Sequence, residues 1–213
     1  MKLCSLMLGI DKLIDTEYEA IKNDAYESVI EQMLAEAEFC DTPTITQVSG
    51  MPGAGKSSFC KEKRNASSLF VSFDAVMEQI PDYHKDVKEK GAAHGFKVWE
   101  MPARVVGYEL LRRAIEKKAN ILLEHSGVND AHLELMKNAK KLGYKTEVNF
   151  IMCEKEEAYR RVLKREKEEK RHTPRKLVDD RAKLMEYYID KYKNIADNTV
   201  IFDSTTHKFV KKS

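Results

Sequence analysis

Gly50-Met51-Pro52-Gly53-Ala54-Gly55-Lys56-Ser57 is the stretch that decides how this chain folds. It satisfies G-x-x-x-x-G-K-[ST], in which glycines let backbone N–H groups wrap a polyphosphate, the lysine reaches the outer phosphates and the serine hydroxyl takes Mg²⁺. At ordinary residue frequencies roughly one random chain of this length in a hundred carries such a match, so the flanking sequence has to decide. Upstream, Thr44-Ile45-Thr46-Gln47-Val48 is β-branched and reads as a strand; downstream, Ser57 to Lys63 can open a helix without a breaker. Strand, glycine loop and helix is the order phosphate binding needs, because helix-start N–H groups and the macrodipole attract anions. A plain Gly/Pro turn would not require Lys56 and Ser57 together. The expected nucleotide-binding residues are Gly50, Met51, Pro52, Gly53, Ala54, Gly55, Lys56, Ser57 and Ser58, with Ser57 the metal-binding one.

Outward from the loop, the bulk properties are those of a soluble globular protein rich in exposed helix. The chain has 213 residues, of which 42% are hydrophobic and 34% charged, enough for one substantial core. A net charge of +2 does not by itself point to nucleic acid. Cys4, Cys40, Cys60 and Cys153 form no C-x-x-C pair and no metal-like spacing, which fits free thiols in a reducing compartment. The apolar stretch Leu3 to Ile10 has no convincing cleavage site and is too short to span a bilayer. The expected location is therefore the cytoplasm, with no membrane association.

Residues 11–38 carry apolar residues at mostly helical spacing and read as an amphipathic helix or pair. This defines an N-terminal helical segment, residues 1–40, packed on a main domain spanning 41–213. Within that domain, Ser68 to Phe73 reads as a short strand with Asp74 at its end, and Tyr83 to Lys118 as helix broken near Gly91, Gly95 and Pro102. Asn120 to Leu123 is a strand ending in Glu124, Ala131 to Leu142 a helix, and Thr146 to Met152 a strand. Two charged helices, about 155–169 and 174–195, precede a last strand at Val200 to Phe202. The alternation implies a three-layer α/β/α fold with a mostly parallel five-stranded sheet. Right-handed crossovers then bring the loop, Asp74 and Glu124 to one rim.

Each acid has a structural and a chemical reading. Asp74 can be a helix N-cap, or a base that orients and deprotonates an attacking hydroxyl. Glu124 either opens a solvated loop or supports the Mg²⁺ shell or the substrate. The charged segment Arg160 to Arg171 is by default a solvated helix face with pairs such as Lys164–Glu168 and Arg165–Glu169. Thr173-Pro174, however, caps a new helix, so Arg171 lies at a hinge. An arginine-bearing hairpin at about 155–175 is suited to close as a lid over a γ-phosphate. His84, His94, His125 and His132 have no metal-ligand spacing, and Trp99 is expected to pack on the helices after the second strand.

Together these segments resemble the zeta toxin family of P-loop kinases, the toxic halves of toxin–antitoxin pairs. The likeness runs from about Asp41 to Phe202. It includes Gly50 to Ser57, the strand ending at Asp74 with Ile80-Pro81-Asp82-Tyr83-His84 after it, Glu124-His125-Ser126-Gly127, and Arg165 followed by Arg171-His172-Thr173-Pro174. It implies a fold like that of nucleoside monophosphate kinases, and phosphorylation of a sugar hydroxyl of UDP-N-acetylglucosamine by ATP or GTP. Residue by residue, it makes Lys56 and Ser57 the holders of phosphate and Mg²⁺ and Asp74 the base. Glu124 and Ser126 fall to the acceptor, Arg165 and Arg171 to the transferred phosphoryl. An antitoxin protein is the partner that the resemblance raises. The family's E-G-T is here Glu124-His125-Ser126, and the basic residue often found three positions after the Asp is here Met77. Both departures fall on the acceptor side, so another small molecule or a polynucleotide end stays open as acceptor. The mixed charges from Glu78 to Lys90 argue against nucleic acid. A regulatory nucleotide-binding protein without turnover is the rival from a different class.

Overall fold

In the computed structural model, which describes residues 24–64 and 67–210, strand burial alternates between two cores. On β1 (Thr44–Ser49), Ile45 joins one hydrophobic cluster and Val48 the other. On β3 (Ile121–Glu124), Ile121 and Leu123 face the first cluster and Leu122 the second. On β4 (Lys145–Met152), Val148 and Phe150 oppose Ile151 in the same way. Successive side chains of a strand leave on opposite faces, so this pattern is a sheet covered on both sides.

The first face carries α1 (Asp24–Ala35), α3 (Phe73–Met77), α5 (Ala92–Glu116), α6 (Asp130–Lys141) and most of α8 (Arg175–Lys193). The second carries α2 (Lys56–Lys63), α7 (Lys155–Glu169) and Val178 near the start of α8. Helix α1 buries Tyr26, Val29, Ile30 and Leu34 in the first cluster. Residues 11–23 of the 11–38 amphipathic segment, with Leu3 to Ile10 and Cys4, lie outside the described residues.

The sheet order is β2-β3-β1-β4-β5-β6, where β2 is Leu69–Val71, β5 Asn198–Asp203 and β6 Lys208–Val210. The first five strands are parallel, and β6 adds antiparallel to β5. Central β1 pairs β3 through Val48 opposite Glu124 and β4 through Ser49 opposite Phe150. The loop after β1 therefore opens between the ends of two neighbours, the crevice where open parallel sheets bind ligands.

The structure corrects the sequence reading in four places. The sheet has six strands, not five, because Lys208–Val210 turns back on β5. The second strand ends at Val71, and Asp74 lies in the first turn of α3, where Ser72 accepts a hydrogen bond from the Ala75 N–H and is the cap. The helix break falls at Gly91, between α4 (Pro81–Lys90) and α5, while Gly95 and Pro102 lie within α5. Pro174, not Thr173, occupies the N-cap position of α8. Trp99 packs as expected and donates to Asp86 Oδ2 at 2.8 Å, tying α5 to α4. Cys40, Cys60 and Cys153 are free thiols. Among the described residues, no helix is long and apolar enough to cross a membrane.

Candidate active site

The phosphate loop is shaped by residues with different tasks. Gly55 takes a left-handed conformation, φ 96°, and stands at the N-cap of α2. Gly53 is left-handed too, φ 81°, and a Cβ there would collide with the Ala158 carbonyl of α7. Pro52, Gly53, Gly55, Lys56, Ser57 and Ser58 line a cleft of about 580 Å³. Gly50, Met51 and Ala54 are buried behind it. Lys56 Nζ donates to the carbonyls of Gly50 at 3.0 Å and Met51 at 3.1 Å. Burial lowers its pKa, an effect that the nearby Glu124 carboxylate opposes.

The two acids arrive from neighbouring strand ends. Glu124 closes β3, and its Oε1 accepts from the Ser57 hydroxyl at 2.7 Å. Burial raises the pKa of Glu124, and the Ser57 hydrogen bond and the Lys56 charge act against that. Asp74 lines the same cleft from the first turn of α3. Ser126 does not: its carbonyl accepts from the Gly50 N–H at 3.3 Å, tying this loop to the base of the phosphate loop.

Both expected arginines reach the cleft. Arg171, between α7 and α8, sets one terminal nitrogen 2.9 Å from Asp74 Oδ1 and 2.8 Å from Oδ2. Its guanidinium lies 4.9 Å from the centre of the Phe96 ring. Arg165, on α7, donates to Thr173 Oγ1 at 3.0 Å rather than serving the Glu169 pair expected from spacing. Burial and the adjacent Arg171 charge lower its pKa. The Nε atoms of Arg165 and Arg171 are buried without a hydrogen-bond partner among the described residues. Two such donors beside a phosphate loop suit an anion.

Two groups of lining residues escaped the sequence reading. Arg161 donates to Ser204 Oγ at 3.0 Å and to the Gly53 carbonyl at 3.4 Å, joining α7 to the loop. Its place four residues before Arg165 puts both on one helix face, a signal the sequence did contain. Phe96, Glu100 and Arg104 follow the same spacing on α5. With Phe73, Met77, Asp74 and Arg171 they enclose a recess of about 120 Å³ beside the main cleft.

The residues present fit the expected ligands. Ser57 Oγ and Glu124 Oε1 form a hard-oxygen pair at the loop, the donor type that Mg²⁺ takes alongside phosphate oxygens.

Comparison with known proteins gives a consistent result. The zeta toxin family model matches residues 28–211. A solved structure from the PezAT chromosomal toxin–antitoxin system of Streptococcus pneumoniae superposes with a TM-score of 0.70 at 16% identity, covering 91% of this chain and 82% of that one. The AvrRxo1-ORF1:-ORF2 complex with ATP gives a TM-score of 0.64 at 18% identity. There 88% of this chain matches 65% of the other, so this chain spans less than two thirds of that protein. A structure described as a putative kinase from Chloroflexus aurantiacus gives 0.50 at 16% identity, over 77% and 89% of the two chains. At such identities the likenesses establish the fold, that of the P-loop kinase-like α/β/α proteins. No curated protein sequence matches the chain.

Proposed function

The chain belongs to the zeta toxin family, and from that premise we propose that it is a Mg²⁺-dependent kinase, transferring the γ-phosphoryl group of ATP or GTP to a hydroxyl of a small molecule. The observation that carries this reading is the convergence of Lys56, Ser57, Asp74, Glu124, Arg165 and Arg171 on one cleft. Binding alone would need only the loop. A carboxylate and two arginines facing it are the equipment of transfer.

The nucleotide phosphates lie in the loop, and Lys56 moves from the Gly50 and Met51 carbonyls to their oxygens. Ser57 and Glu124 would hold Mg²⁺, which would supply positive charge to offset that of the phosphates. The acceptor hydroxyl enters from the recess beside Phe96 and Glu100. Asp74 takes its proton as the oxygen bonds to the γ-phosphorus, and the bond to the β-phosphate oxygen breaks, leaving the nucleoside diphosphate. Arg165 and Arg171 offset the charge on the transferring group. Because Arg171 is already paired with Asp74, the incoming γ-phosphate gives it a second anion and frees a carboxylate oxygen to act.

UDP-N-acetylglucosamine is the acceptor to test first, on the strength of the family. The likeness to PezAT supports an antitoxin protein as partner, and a cytoplasmic setting belongs to the same proposal. Mass spectrometry of a reaction offering ATP, Mg²⁺ and UDP-N-acetylglucosamine within a metabolite extract tests the reading. A phosphorylated product made by the wild-type chain and absent with Asp74→Asn supports it. Nucleotide bound with no product at all would replace it with a regulatory role.

A further inference from the structure

Behind the two acids lies a set of buried polar groups with no direct part in this chemistry. Gln47, Ser49 and His132 are fully buried. Tyr192, also fully buried, donates from its hydroxyl to the Gly127 carbonyl at 3.0 Å, so that hydroxyl accepts from Gln47 Nε2 at 3.1 Å. The other Gln47 amide hydrogen serves Ser49 Oγ at 2.9 Å. Gln47 Oε1 then faces His132 Nδ1 at 3.4 Å, which fixes the proton on Nδ1 and leaves Nε2 to accept from the Tyr108 hydroxyl at 3.0 Å. The path ends on the loop after Glu124, where the Gly127 N–H donates to His125 Nδ1 at 3.0 Å. The His125 ring stacks on His132, with centres 3.6 Å apart and planes within 5°.

This network grips the four residues that begin with Glu124. The His125 N–H donates to the Val48 carbonyl at 3.1 Å, and the Ser126 carbonyl accepts from the Gly50 N–H at 3.3 Å. Gly127 is left-handed, φ 69°, and a Cβ there would collide with Ser49 Oγ. The segment is therefore held at both ends against the start of the phosphate loop. We propose that His125 is a positioning residue: by accepting from Gly127 and stacking on His132, it locks the 124–127 turn so that the Glu124 carboxylate stands opposite Ser57. The inference rests on Ser57 and Glu124 holding the metal of a bound nucleotide. It extends that reading to a residue that touches neither nucleotide nor acceptor.

The test separates the ring's acceptor from its bulk. His125→Phe keeps a ring to stack and removes the acceptor, whereas His125→Asn keeps an acceptor near the Nδ1 position and removes the stack. Tyr192→Phe deletes the hydroxyl at the other end of the turn while keeping its shape. Binding of N-methylanthraniloyl-ATP is followed by fluorescence as Mg²⁺ is titrated, and again in EDTA, with melting temperature measured in parallel. The expected result is a roughly tenfold rise in the Mg²⁺ concentration needed for half-maximal binding in His125→Phe and Tyr192→Phe. His125→Asn should stay within about threefold of wild type, with binding in EDTA unchanged throughout. A His125→Phe protein with a wild-type Mg²⁺ requirement would overturn the inference. So would equal losses in His125→Phe and His125→Asn that track melting temperature, or wild-type binding indifferent to Mg²⁺. Wild-type protein that binds Mg²⁺-nucleotide but phosphorylates nothing would remove the kinase reading and leave the positioning role intact.

Discussion

Arg171 sets one guanidinium nitrogen 2.8 Å from one carboxylate oxygen of Asp74 and 2.9 Å from the other, bridging the hinge between α7 and α8 to the first turn of α3. The partners are 97 residues apart in sequence, so their meeting is a product of the fold. It places the charge of the segment between α7 and α8 on the residue proposed as base, where an arriving phosphate would compete for it.

That relationship predicts a split between catalysis and stability. With side chains 21% and 44% exposed, the pair adds little to folding, about 0–1 kcal/mol for exposed pairs. Arg171→Ala should therefore shift the melting temperature by no more than a few degrees. Turnover at saturating nucleotide should fall by about a hundredfold or more, the scale of losing one preorganised donor to a transition state. Rates of product formation beside a thermal melt decide it; a normal rate would leave Arg171 only a structural tie.

Lys56 is held by two loop carbonyls. Lys56→Ala should leave the fold intact, weaken nucleotide binding and abolish transfer, because it removes the loop's own cation from the outer phosphates. Calorimetric titration with ATP and a product assay check both parts. Unchanged turnover would take the loop out of the mechanism.

Gly53→Ala should be more damaging than its size suggests. The residue is left-handed, and the added methyl meets the Ala158 backbone rather than a movable side chain. Strain at such a position costs about 1–3 kcal/mol. Relief requires α7, with its arginines, to back away from the loop. A lower melting temperature together with lost nucleotide binding is the expected outcome in a denaturation and binding series.

Acid should destabilise the fold through His132. Burial, helped by the charges of Arg104 and Arg181, lowers its pKa to about 3 from an ordinary 6.5. His125, stacked against it, is also held neutral, chiefly by burial. The unfolded chain takes up a proton below about pH 6.5, whereas folded His132 does not until about pH 3. Its contribution is thus complete above pH 6.5 and is lost as pH falls toward 3. Melting temperatures from pH 7.5 to 5 should fall more steeply for wild type than for His132→Gln; parallel slopes would contradict this.

The loop and the strand–helix alternation were legible in the sequence because each is local: an eight-residue pattern and a change of hydrophobic period. The rim location of Asp74 and Glu124 followed from topology alone. What stayed hidden needed partners distant in the chain or choices between equivalent local signals. Ser72 and Asp74 are both good caps, and only the geometry gives the cap to Ser72. Thr173 reads as a cap until Arg165 is seen to use its hydroxyl. β6 is three exposed residues with no core-facing pattern, stabilised by pairing with β5. The polar path through Gln47 and His132 could not be read because neither residue, taken singly, differs from an ordinary strand or helix residue.

The central claim, that Asp74 is the base of a phosphoryl transfer, is tested most directly by the transfer rate of Asp74→Asn at saturating nucleotide. The account predicts a loss of about a hundredfold or more, with nucleotide affinity and fold retained. A wild-type rate in a variant of lowered melting temperature would contradict it and leave Asp74 a structural residue at the start of α3.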